Sequence, residues 1–490
     1  MYRRIARLSH PGSPGVGYSP LSRVVEVERG VLLGSRISRR QALKYGLGAG
    51  AALALPSVLG ACSDGGSKPA AGGGNGKGSG STPELPYPRV LTSHDGVLAL
   101  TLTATPAVVE IGAAQPASTW TYDLVVPGHT WEIRGGDTLK VELVNALPPL
   151  PDGHPVDLTR PHEWTTTNLH THGLHVSPAP GADNVFLELP PGERTTIEIP
   201  LPKDHPGGIF WYHPHKHGGV CQQIRGGMAG MLIVRGEIDE VPEVKAAKEQ
   251  VMVLQSIELG PNFELMAPIP HPTKTESFFP RTQVFYTVNG VLTPKIRMYE
   301  GEVQRWRLLN AAEGKFMALQ LKDHDFHVLA WDGLTLASPE TVDDVRLGAG
   351  NRVEVLVQAG KPGTYDLMLT PGSSQHPDIP GGLHTGAAAT TTTGFSQPSA
   401  ELTPRTMATV EVVGSGRRME LPGTLPAFDP PILPIARTRA FSYTVEREPN
   451  GEFINFGVDG LPFDPARAPY QMKLGTAEEW TLTNAADHSH

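Results

Sequence analysis

Apolar and polar residues alternate in short runs along most of the chain, and the runs stop at Gly, Pro, Asn or Asp. VVPGHTWEI and RVEVLVQAGKPGTYDLML are examples. Successive side chains of a strand point to opposite faces, so such a run buries one face and wets the other. Stretches of helical period are scarce, while Gly (55) and Pro (47) are abundant. The pattern predicts an all-β protein of many short strands, arranged as sandwiches or barrels.

Three segments share one frame: GDTLKVELVN at 136–145, GEVQRWRLLN at 301–310 and GTAEEWTLTN at 475–484. Each runs from a Gly through eight residues to an Asn. The pieces before them also agree: LVVPGHTWEIRGG, TVNGVLTPKIRMYEG and FGVDGLPFDPARAPYQMKLG each hold a small turn and then a strand. Repeats this far apart read as duplicated domains rather than a solenoid. A chain of 490 residues has room for about three domains of ~150. The expected domains are 87–237, 243–416 and a partial one at 430–490.

The N-terminal region reads as an address. SRRQALK at 38–44 precedes an apolar run, YGLGAGAALALPSVLGA, and then Cys62. Twin arginines before such a run resemble a Tat export signal. Leu59-Gly60-Ala61-Cys62 resembles a bacterial lipobox, which makes Cys62 the lipidated residue and a membrane surface the expected partner. The signal thus spans 37–62, and the expected location is periplasmic or otherwise extracytoplasmic. Residues 1–36 read as a spurious upstream segment, and 63–86 as a flexible linker rich in Gly and Ser. Net charge is −9 with both signs mixed, and no basic cluster suggests a nucleic-acid partner. Cys62 and Cys221 are the two cysteines, so no disulfide framework is expected.

The candidate chemistry lies in NLHTHGLH and FWYHPHKHG. His170 and His172 sit one residue apart on an expected strand, so both rings project the same way, with Cα atoms roughly 6.5 Å apart. His213 and His215 repeat the spacing after FWY. Imidazole suits Cu, Zn, Fe or Ni. Two such pairs in one domain predict a metal site, with His175 and His217 expected beyond the first ligands or at the surface. Cys221 is expected to pack as a small apolar residue.

HTHG, then WYHPHKHG, on a three-fold repeat of β-domains, resembles the multicopper oxidase family over residues 88–490. The resemblance implies tandem cupredoxin-like Greek-key β-sandwiches, two complete and a third partial. It implies copper: His170 at the type 2 ion, His172 with His213 and His215 at the type 3 pair, and His490 as the first ligand of type 1 copper. Family spacing places Asp183 near the type 2 copper as a proton relay. The middle repeat is expected to carry no ligands. The implied activity is laccase-like, coupling one-electron oxidation of small phenolic or metal-ion substrates to four-electron reduction of O₂ to water.

The family's His-Cys-His motif does not follow His490, so the type 1 site is incomplete in this chain. A half-built third sandwich would expose strand edges; on that ground on the order of 70–100 further residues are expected beyond His490. The other readings are an exported lipoprotein that binds or sequesters copper without turnover, or a copper-free scaffold like relatives that serve cell division. A two-domain nitrite-reductase arrangement needs Cys where Pro214 stands.

Overall fold

The computed structural model describes residues 7–8, 82–151, 156–269, 278–280, 282–371, 404–429, 433–448 and 453–484. The twin arginines, Cys62 and His490 lie outside them. The described residues are almost all strand and turn, as the alternation predicts, with brief helical turns such as Val220–Gly226.

Two sheets form the first sandwich. One has the order Ala117–Tyr122, Val97–Val109, Thr138–Asn145 and Arg194–Pro200. The other has the order Val90–Thr92, Thr130–Arg134, Gly230–Arg235, Gly208–His213 and His170–His172. In Thr138–Asn145 the alternation is literal: Leu139, Val141 and Leu143 are buried, while Lys140 and Glu142 face outward. The second sandwich pairs a six-stranded sheet that runs from Gln283–Val288 to Leu334–Val342 with a five-stranded one that runs from Lys295–Glu300 to Asp344–Leu347. A further sheet holds Ala477–Asn484, Ile435–Arg447, Phe453–Val458 and Leu461–Pro462.

The repeated frame has a physical basis. Asn145, Asn310 and Asn484 each end a strand that runs parallel to the preceding long one, opposite Ala104, Leu254 and Tyr443. Asn145 Nδ2 donates to Thr165 O and Leu189 O, and its Oδ1 accepts from Leu147 N. Asn310 repeats this with Lys315 O, Leu347 O and Ala312 N. A buried amide thus satisfies the backbone where the chain leaves the sheet. The upstream turn recurs as well. Asp123, Asn289 and Asp459 all hold positive φ, which short polar side chains tolerate best. Their Oδ1 atoms accept from Thr103 N (2.8 Å), Val253 N (2.7 Å) and Ser442 N (2.7 Å).

The strand Gly208–His213 is buried on both faces, and this places the site. Phe210 and Tyr212 point into the core of the first sandwich, where Tyr212 stacks on Trp131 at 3.6 Å. Ile209 and Trp211 point the other way, into an apolar seam with Val251, Val253 and Leu309 of the second sandwich. Beside that seam, Arg235, Arg305 and Arg307 interlock with Glu132, Asp239, Glu249 and Glu354.

Candidate metal centre

His213 follows Ile209 and Trp211 with period two, so its ring lies on the seam side of the sheet. The edge strand His170–His172 pairs antiparallel with it, in the register His170 opposite His213 and His172 opposite Trp211. Directly opposed residues share a face, and Thr171 between them turns to the buried side at 0% exposure. One ring nitrogen each of His170, His172 and His213 lies within 4.8 Å of the others.

His215 differs from the expectation. The strand stops at His213, because Pro214 has no N–H to continue the ladder, so His215 leaves the sheet. Asn168 Oδ1 recaptures it by accepting from His215 N at 2.6 Å, while Asn168 Nδ2 donates to Val185 O. The His215 ring then sits 5.1 Å from that of His170 and 5.6 Å from that of His213, as near as the trio's rings are to one another, although its nitrogens fall outside the 4.8 Å group.

Neighbouring groups set which nitrogens are free. Asp183 Oδ1 lies 3.0 Å from His170 Nδ1 and accepts from Thr171 N at 3.1 Å, so it braces ring and strand together. His213 Nδ1 donates to Pro214 O at 2.8 Å. Both rings therefore keep Nε2 as a lone-pair donor. Trp211 stacks on His213 at 3.9 Å.

Burial favours the neutral form of His172, His213 and His215. It pushes His172 down to about 3, helped by the Arg352 guanidinium and then by His170 and His215. It holds His213 well below the usual range, with the other three histidines adding to the effect. His215 is lowered by loss of hydration and by His170, since protein surrounds its ring although one edge meets solvent. A neutral imidazole is the ligating form, so the cluster is ready for metal near neutral pH. Several neutral nitrogen donors on one face fit copper.

Sequence reasoning missed the contribution of the second sandwich. Arg352, 4% exposed, donates to Ile209 O from Nε, to Gly350 O from Nη1 and to Asp332 O from Nη2. A Cβ on Gly173, the glycine of HTHG, would meet that guanidinium at 2.5 Å. A Cβ on Gly350 would meet His172 Cε1 at 3.1 Å, and Gly350 holds φ +81°. Nothing local in the sequence marks these two residues; Asn168, next to the motif, was the better signal. Of the flanking histidines, His175 donates its backbone N–H to His205 Nε2 at 2.9 Å, and His217 Nε2 donates to Leu158 O at 2.8 Å. Cys221, on the helical turn Val220–Gly226, is a thiol pushed up by burial, in keeping with a packing role.

Family models described as multicopper oxidase match residues 161–238 and 264–392. In these two stretches the chain is of multicopper oxidase type. The first of these stretches holds all four histidines and Asp183; the second spans Gly350 and Arg352. The fold matches a multicopper oxidase described as a metallo-oxidase from Campylobacter jejuni, with TM-score 0.62 and 20% identity, over 82% of this chain and 79% of that one. A laccase-like multicopper oxidase from Ochrobactrum sp. gives TM-score 0.58 at 21% identity, over 82% of both chains. In sequence, the cell division protein FtsP of Edwardsiella tarda is 26% identical over 411 residues, 82% of this chain and 77% of that protein. The multicopper oxidase Mco of Staphylococcus aureus is 23% identical over 57% of this chain, and the match spans 58% of its length. Oxidases and a cell division protein thus stand together among the multicopper oxidase relatives.

Proposed function

We propose that the chain binds copper through His170, His172, His213 and His215 and serves as the body of a laccase-like oxidase. The observation that carries this is the convergence of ring nitrogens from three imidazoles within 4.8 Å. Copper, when bound, supplies one-electron redox chemistry and the means to reduce O₂. The protein's own share is to hold His170 and His213 with Nε2 outward, to shield the trio with Trp211, and to keep a carboxylate at His170 Nδ1. Asp183, with 7% exposure, is the group placed to hold or pass a proton there. The substrates are small phenols or metal ions. Electron entry needs a type 1 site, of which His490 is this chain's candidate ligand. The twin arginines and Cys62 support Tat export and a lipid anchor on an extracytoplasmic membrane surface.

A second reading is a copper-holding protein without turnover; the similarity to the cell division protein FtsP over 82% of the chain favours a role other than oxidation. The converging imidazoles weigh against a copper-free scaffold. The experiment is elemental analysis of the purified chain, wild type against a variant with all four histidines changed to Ala, with O₂ uptake on phenols, Fe²⁺ and Cu⁺. Copper held by wild type alone supports the site, and O₂ uptake then separates oxidase from copper holder. A wild-type chain that takes up no copper overturns both.

A further inference from the structure

A second pair of imidazoles lies outside the trio. His162 is 2% exposed, and its backbone N–H donates to Gly218 O at 3.2 Å. Its Nδ1 lies 2.8 Å from Arg160 O, so Nδ1 carries the proton and Nε2 is a bare lone pair. That Nε2 is buried with no hydrogen-bond partner. The neighbouring ring, His217, spends its Nε2 proton on Leu158 O at 2.8 Å, which leaves Nδ1 bare as well. The two ring centres are 5.4 Å apart, at an interplanar angle of 55°. An acceptor buried without a donor, as His162 Nε2 is, is costly.

The nearest candidate donor is already spent. Lys216, on a side chain 5% exposed, directs its ammonium to Glu163 Oε2 (3.2 Å), Glu188 Oε1 (3.3 Å) and His217 O (3.0 Å). Glu163 itself holds φ +44°, an uncommon conformation for a carboxylate side chain. Phe463 covers His217 with ring centres 4.1 Å apart, which gives the pair an apolar roof.

We propose that His162 and His217 form a second metal site, distinct from the trio, for a soft monovalent cation of the Cu⁺ or Ag⁺ type. Imidazole nitrogen binds metal at ~2.0 Å, so two rings on opposite sides of one ion have centres ~6 Å apart, and less when the angle bends. The observed 5.4 Å corresponds to an N–metal–N angle of roughly 120°, the trigonal arrangement that takes a third ligand from solvent beside the half-buried His217. Two neutral nitrogen donors with one solvent ligand suit a d¹⁰ ion that accepts three ligands and do not suffice for one that demands four or six.

The test is Ag⁺ titration of the full chain under non-reducing conditions, read as equivalents bound. It uses the fourfold Ala variant at His170, His172, His213 and His215, with and without His162→Ala. One Ag⁺ equivalent that survives the fourfold change and disappears with His162→Ala supports the site. The two thiols are present in every variant, so their contribution cancels. If the fourfold variant does not fold, wild type against His162→Gln and His217→Gln gives the same reading, as a loss of one equivalent in each. Equal Ag⁺ binding with and without His162 overturns the proposal and assigns the space to a bridging water. Failure here leaves the copper reading of the trio untouched, because that reading is tested by copper retained in the native chain.

Discussion

Replacing Asp183 with Ala separates the imidazole trio from its brace. The carboxylate, 8% exposed, serves His170 Nδ1 at 3.0 Å and Thr171 N at 3.1 Å through one oxygen. Its loss frees the His170 ring to rotate and to change tautomer, so Nε2 is no longer presented. Partners of this kind set metal affinity by ~10–100-fold, about 1.4–2.7 kcal/mol. The same substitution leaves the Thr171 N–H unpaired inside the sheet, at about 1–3 kcal/mol of apo-protein stability. Asp183→Asn keeps an oxygen for Thr171 and removes the charge, so it spares stability and lowers affinity by less than Ala does. Competition titration with Cu²⁺ reads the affinity, and urea denaturation of the apo-protein reads the stability. If Asp183→Ala loses stability yet binds copper with native affinity, Asp183 braces the backbone alone and its role at the imidazole is refuted.

Lower pH should weaken the apo-protein: burial pushes His172 to about 3 and His205 to about 4, while unfolded imidazoles protonate near ~6.5. The unfolded chain then binds more protons, so this contribution, full above pH ~6.5, falls away as pH drops, by on the order of 2 kcal/mol per histidine at pH ~5; a urea midpoint constant from pH 7.5 to 5 contradicts this. Gly350→Ala forces a Cβ to 3.1 Å from His172 Cε1 at a left-handed φ. It should cost ~1–2 kcal/mol of stability and reduce Cu²⁺ affinity, and native affinity would show that the second sandwich does not position His172. Arg307→Met takes a guanidinium of 0% exposure from beside Glu249 and Glu354, 2.8 and 2.7 Å away, and leaves Glu249 to Arg235 and Glu354 to Arg305. The expected loss is ~1–3 kcal/mol in urea denaturation, and a loss under ~1 kcal/mol means the remaining arginines suffice.

Much of the scaffold was legible because its determinants are local. Alternation in TLKVELVN buries Leu139, Val141 and Leu143, and the repeated Asn of each frame makes the same bonds in the first two sandwiches. The shared face of His170 and His172 follows from strand period alone. His215 did not follow, since Pro214 breaks the period that the argument for His213 relies on. The position of Asp183 came from family spacing, because no rule of periodicity places a residue after that loop. Arg352 and Gly350 were illegible for a plainer reason: they belong to another sandwich and meet His172 only once the apolar seam has closed. The unpaired nitrogen of His162 was equally hidden, since it results from which carbonyls the two rings happen to reach.

Arg352 and Gly350 would tie docking of the second sandwich to metal capture at the trio. The guanidinium ties the second sandwich to the strand that ends at His213, and the glycine rests against the His172 ring. Parting the two bodies would release that ring, so an ion that grips it also opposes their separation. Metal would therefore act as a fastener between modules, and its removal should loosen a joint to which it is not itself bonded.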